Sequence, residues 1–253
     1  MKTIVAALFG AVLAATSASA AVTVGIEAAG VQQTTQSVAG KQVVTFTDMP
    51  GWVGSGNVFS GGSVSGTIQS GGFRVYDANV YGGAGGSGQF ATVYDTTTIQ
   101  LSRAVTYAGV WASAIDGDFA STLGNTIALY SGDTLLGSYA LKPLLADAGA
   151  GYWGNPTSNY AGQNVWEPYA FFNFNSSVAF DRIDIVQNGG GGFELDNLTI
   201  GNPALISEPT GPGLGDNVEA AVPEPKSWAM MFLGFGAMGL MLRAGKRQKV
   251  ARA

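Results

Sequence analysis

Two groups of side chains in this sequence have types and spacings suited to chemistry: closely set carboxylates and a dense run of aromatics. Asp116-Gly117-Asp118 is an oxygen-rich turn, and Glu194 and Asp196 stand two residues apart. Carboxylate oxygens are the hard ligands that calcium takes, so Asp116, Asp118 and Asp196 form a candidate structural calcium site, with Glu194 as a further donor. EF-hand spacing is missing, and acids in turns also accept local backbone N–H groups. The same acids, with Glu167, offer the carboxylate pair of a glycoside-processing enzyme, in which one group holds a proton and the other is ionised. With 16 acids between Ala21 and Ala220 some pair arises in any case, and a non-enzymatic role is the expectation.

Between Ala150 and Asn175 lie eight of the chain's 27 aromatic residues. Amide and acid side chains alternate with them: Asn155, Asn159, Gln163, Asn164 and Glu167. Flat rings present apolar faces to sugar C–H groups while amides and carboxylates bond the hydroxyls, which is the composition of a glycan site. Phe172 and Phe174 share one strand face and are expected in the core. Tyr152, Trp153, Tyr160 and Trp166 lie in loop-like sequence and are the candidate glycan-binding residues.

Cysteine and histidine are both absent. No disulfide framework can form, and the usual zinc ligands and the commonest general base are excluded. Between Ala21 and Ala220 the chain holds 5 basic and 16 acidic residues, a net charge of −11. A phosphate backbone repels such a domain, so nucleic acid is not an expected partner. The glycine-rich stretch 82–88 lacks the Gly-Lys-Ser/Thr of a phosphate cradle and reads as a flexible loop.

The elements that must position these residues read as strands. Short runs rich in Val, Ile, Thr, Phe and Tyr recur with Gly, Asn and Asp between them, at 42–47, 63–69, 73–76, 98–102, 105–112, 126–130, 135–140, 169–174, 178–187 and 193–200. Ser131-Gly132-Asp133 turns one strand into the next, and Lys142 to Ala148 fits one short helical turn. Strands at this spacing without alternating helices predict an all-β fold, a β-sandwich of the jelly-roll kind, over residues 21–200. In the last strand Phe193 and Leu195 are apolar at odd positions but Leu198 and Ile200 at even ones. A bulge near Asp196-Asn197 is needed to keep one buried face.

The two ends of the chain have another character. Lys2, the apolar run Ile4 to Ala15 and the small-x-small Ala18-Ser19-Ala20 make residues 1–20 a signal peptide cleaved between Ala20 and Ala21. Gly201 to Val222, with Pro203, Pro209, Pro212 and four glycines, reads as a linker. After it comes PEPKSWAMMFLGFGAMGLMLRAGKRQKVARA, residues 223–253. Its apolar part, Ser227 to Leu242, would make ~24 Å of helix at ~1.5 Å per residue against a ~30 Å hydrocarbon core. That is a marginal single transmembrane helix. Arg243, Lys246, Arg247, Lys249 and Arg252 follow it as a cytoplasmic basic stop. The G-x-G-x-x-G inside the helix follows no strand and is no nucleotide motif.

This tail resembles the PEP-CTERM sorting signal of Gram-negative bacteria in its PEPxxWA form. Pro223, Glu224 and Pro225 match the signature tripeptide, and Trp228 and Ala229 the start of the helix. Gly234, Gly236 and Gly239 match its glycine pattern, and the five cations its basic end. Ala244 and Gly245 interrupt what is usually a tighter run of arginines. The resemblance implies export across the inner membrane, recognition by an exosortase, removal of the tail near Pro-Glu-Pro, and a place at the cell surface or in the exopolysaccharide. Residues 180–200 similarly resemble the closing hairpin of exported jelly-roll modules of the carbohydrate-binding type, in which a last-strand acid often helps hold calcium. A non-catalytic glycan binder is the resulting expectation. A purely structural matrix protein and a carboxylate-based glycoside-processing enzyme are the alternatives.

Overall fold

The structure, a computed structural model, describes residues 22–56, 58–60, 64–115, 123–146 and 149–203. The signal segment with its Ala20–Ala21 junction, the linker beyond Pro203 and the whole tail from Pro223 lie outside those residues, as do Asp116 and Asp118. Within them the chain is all-β. Twelve strands share one sheet and two more form a separate ribbon, and every pairing is antiparallel. Among the described residues no helix is long and apolar enough to cross a membrane.

Two long strands organise the sheet. β8 (Thr96–Ser113) and β13 (Ala170–Val186) pair from Val186↔Thr96 to Ala170↔Ala112. The sequence pattern expects each of them as two strands. Polar and small residues at 102–104 and 176–177 look like turns, but the chain crosses them as a bend, with register shifts between Asn175 and Arg182. The neighbours change across the bend. Early in β8 the partner is β5 (Ser65–Ser70), and late in β8 it is β14 (Phe193–Pro203). β13 likewise passes from β1 (Val22–Ile26) to β9 (Thr126–Ser131).

Period-2 alternation sends one face of these strands into a single apolar core. Phe172, Phe174, Ile183 and Ile185 from β13, Ile99, Val105 and Val110 from β8, and Val24 and Ile26 from β1 all belong to it. Phe172 and Phe174 are therefore core, as expected. β9 turns into β10 (Thr134–Ala140) through Gly132 and Asp133, with Gly132 at φ +55°. A helical turn, α1 (Leu141–Leu144), follows and buries Leu141 and Leu144. β14 runs on through Gly201 to Pro203, pairing Asn202 with Ala39 on β2 (Val38–Val44), so these three residues extend the strand and are not linker.

The opposite face of β8, β13 and β14 carries a second, smaller apolar group, Trp111, Tyr169 and Phe171, packed with Ala84. Loop segments fold over it, and they create the candidate site.

Candidate functional site

β14 carries the first part of the site. Its pairing with β8 shifts register between Asp196 and Thr199, and Asn197 sits in the left-handed region at φ +48°. This is the bulge that the apolar pattern requires: Phe193, Leu195, Leu198 and Ile200 all reach the main core. The bulge leaves Glu194 and Asp196 on the other face. Asp196 lies opposite Trp111, and Glu194 opposite Ser113.

Asp196 is 3% exposed, and its carboxylate fastens two backbone segments. Oδ2 accepts the Ala84 N–H at 2.7 Å and Oδ1 the Asn197 N–H at 2.7 Å. Burial pushes its pKa up to about 7, even though those two N–H groups favour the anion. Glu194 accepts the Ser113 hydroxyl at 2.7 Å. Burial raises its pKa to about 8; the Ser113 bond works against the rise, and the Glu167 charge adds to it. The structure thus brings Glu194, Asp196 and Glu167 into one neighbourhood. Among the described residues no group of three or more acids is arranged to hold a metal. Through its two N–H contacts Asp196 fastens the bulge to the overlying loop.

That loop is the glycine-rich segment expected to be flexible, and it is stitched down along its length. Ala78 N–H donates to Gly88 O at 2.8 Å, Asn79 N–H to Gly82 O at 3.1 Å, and Gly85 N–H to Gln32 Oε1 at 2.8 Å. Gly83, Gly85, Gly86 and Gly88 all take positive φ, which is why the segment needs glycine where it folds tightly over the sheet. A cleft of about 440 Å³ opens beside it, bounded by Gln32, Thr45, Thr47, Gly85, Asp196 and Asn197. Its amides hold its own walls. Gln32 Nε2 donates to Thr157, and Asn197 Nδ2 donates to Gln32 O at 2.8 Å.

The second part of the site is the two-stranded ribbon of β11 (Trp153–Asn155) and β12 (Gln163–Pro168). Trp153 pairs with Pro168, two residues along β12 from Trp166. Trp166 is 77% exposed and Trp153 46%, so both indoles face solvent on one ribbon. The ribbon is tied to the molecule beneath. Tyr169 N–H donates to Tyr152 O at 2.7 Å, Tyr169 hydroxyl to Tyr81 O at 2.6 Å, and Asn155 Nδ2 to Asn79 O at 3.3 Å. Tyr152 offers no exposed ring. It is buried, and its hydroxyl donates to Glu27 O at 2.7 Å. Tyr160 is half-buried, beside Gly86. Of the four candidates, the two tryptophans alone are exposed.

Sequence reasoning did not single out Glu27, Asn173 or Tyr107, which form a buried polar network on this face. Glu27 accepts from Thr35 N–H and hydroxyl and from Asn173 Nδ2, and Asn173 Oδ1 accepts the Tyr107 hydroxyl at 2.7 Å. Trp111 is also buried here, and its Nε1 has no hydrogen-bond partner among the described residues. The signal for Tyr107, Trp111 and Ser113 was their parity on β8, opposite to that of Ala108, Val110 and Ala112. Comparison with protein-family models, characterised proteins and solved structures finds no match.

Proposed function

We propose that this chain is an exported, non-catalytic glycan-binding protein. It would be built as a jelly-roll-like β-sandwich and carried to the cell surface or exopolysaccharide of a Gram-negative bacterium by an exosortase-recognised tail. One observation carries the binding part. Trp153 and Trp166 stand exposed on a ribbon that the protein anchors through Tyr152, Asn155 and Tyr169. Large exposed indoles on a fixed support offer flat apolar faces for sugar rings at little ordering cost. Gln163 on the same strand is exposed and supplies an amide at the rim. The sandwich part rests on the bend in β8 and β13, which passes the sheet over one core.

Native affinity electrophoresis in the producer's own exopolysaccharide tests the binding part. The full chain is expected to be retarded, and Trp153→Ala and Trp166→Ala to migrate as in plain gel. Unretarded wild type would instead favour a purely structural matrix protein. The domain's net charge of −11 keeps nonspecific adhesion to anionic polymers low. Intact-mass measurement on surface material tests the sorting part: the mature chain should begin at Ala21 and end near Pro223–Pro225. Recovery of the full tail would make it a plain anchor.

A further inference from the structure

Beyond the loops, the same face of the sheet carries a second aromatic surface, built on β3 (Trp52–Gly54), β6 (Gly72–Asp77) and β7 (Gln89–Val93). Register sets its members side by side. Trp52 lies opposite Arg74, Arg74 opposite Thr92, and Tyr76 opposite Phe90. Phe73, Val75, Ala91 and Val93 point the other way into the core. Trp52 is 53% exposed, Tyr76 41% and Tyr94 48%.

These side chains are held in place. A Cβ on Gly54 would come within 2.6 Å of Trp52 Nε1, and one on Gly72 within 2.8 Å of its ring carbons. The indole thus lies across the paired glycines, where any other residue would lift it off. The Arg74 guanidinium sits 5.7 Å from the indole centroid, within cation–π range. Tyr76 leans on buried Phe90 with centroids 6.1 Å apart, and its hydroxyl meets that of Tyr94 at 3.1 Å. Both phenols are therefore held beside one another at the surface.

Arg74 decides the ligand. Among the described residues it forms no ion pair, whereas Arg182 contacts Asp133 at 3.5 Å and Asp184 at 3.9 Å. Arg74 is also exposed to solvent. Its planar fork matches a carboxylate, and the indole beside it matches a sugar ring. We infer that Trp52, Arg74, Tyr76 and Tyr94 form a second glycan site that takes an acidic, uronate-bearing chain, with the rings on Trp52 and the carboxylate on Arg74. The domain's remaining negative charge does not forbid this. At ~0.15 M ionic strength charges beyond ~8 Å are largely screened, while a contact ion pair is not.

The test titrates the full chain with an alginate hexamer, as the uronate probe, and with cellohexaose, as the neutral one, by isothermal titration calorimetry at 0.15 M salt. Alginate is expected to bind and cellohexaose to bind about tenfold more weakly or less. Arg74→Gln should erase that preference, and Trp52→Ala should abolish alginate binding, each at an unchanged melting midpoint. Tyr94→Phe, a milder change, should weaken alginate binding and guards against a Trp52 variant that unfolds. Trp166→Ala should leave the alginate titration as in wild type, which separates this site from the β11–β12 ribbon. The inference is overturned if alginate does not bind, if Arg74→Gln keeps the preference, or if Trp166→Ala abolishes the titration while Trp52→Ala does not.

Discussion

At the scale of single residues, exposure divides the aromatic run at 150–175 into two physical roles. Trp166 projects into solvent, and its replacement by Ala removes almost no packing, so stability should stay within ~0.5 kcal/mol of wild type. Tyr152, fourteen residues earlier, is buried and hydrogen-bonded to the Glu27 carbonyl, and Tyr152→Ala should cost ~3–5 kcal/mol, as large aromatic truncations in packed sites do. Tyr152→Phe isolates the hydroxyl and should cost ~1 kcal/mol. Urea titrations of the three variants check the contrast. Equal losses in Trp166→Ala and Tyr152→Ala would mean that the ribbon is packed from both sides. The sequence made all four aromatics look alike because each sits among Gly, Asn and Pro. What separates them is a long-range contact, Tyr152 with Glu27, that no local pattern encodes.

At the scale of elements, the most legible feature was the change of parity in β14. Four apolar residues could share one face only if a residue were inserted near Asp196-Asn197, and the register shift lies there. Asn197 takes φ +48°, and its side chain donates to Gln32 O. Asn197→Ala loses both the residue type that tolerates this conformation and the donor, for ~1–2 kcal/mol. Asn197→Gly loses only the donor and should be the milder change. Thermal melts that rank Gly below Ala in stability would place the bulge's cost in the side chain and not in the backbone. Other elements were hidden for stated reasons. β3 is three residues long, and β7 is a short run beside a glycine-rich loop. The bends inside β8 and β13 use the residues that elsewhere make turns, so one strand read as two. The open face of β3, β6 and β7 was invisible because its members come from three separate segments and meet only through pairing.

At the scale of the whole molecule, the buried acids make stability depend on pH in a direction opposite to that of an ordinary carboxylate. Glu194 rises from an ordinary 4.5 to about 8 and Asp196 from 3.8 to about 7, in both cases mainly through burial. Between about pH 4 and pH 8 the folded state therefore binds more protons than the unfolded one, and stability falls as pH rises through that window. The groups that see Glu194 are Ser113 through its hydroxyl, Glu167 through its charge, and the phenols of Tyr94 and Tyr169, with Gly82 and Phe90 closing over it. None of these except Ser113 favours the anion. The melting midpoint should be higher at pH 5.5 than at pH 8.5. Glu194→Gln holds the neutral shape at every pH, so the variant should recover stability at pH 8.5 and flatten the upper part of the profile. The Asp196 portion should persist at lower pH, because its carboxylate still loses a proton there. Melts of wild type and Glu194→Gln from pH 4.5 to 9 decide the matter. A wild-type midpoint that climbs with pH, or a variant whose slope matches wild type above pH 7, would mean that Glu194 is ionised and solvated in the folded protein. The strand order that buries it would then need another account.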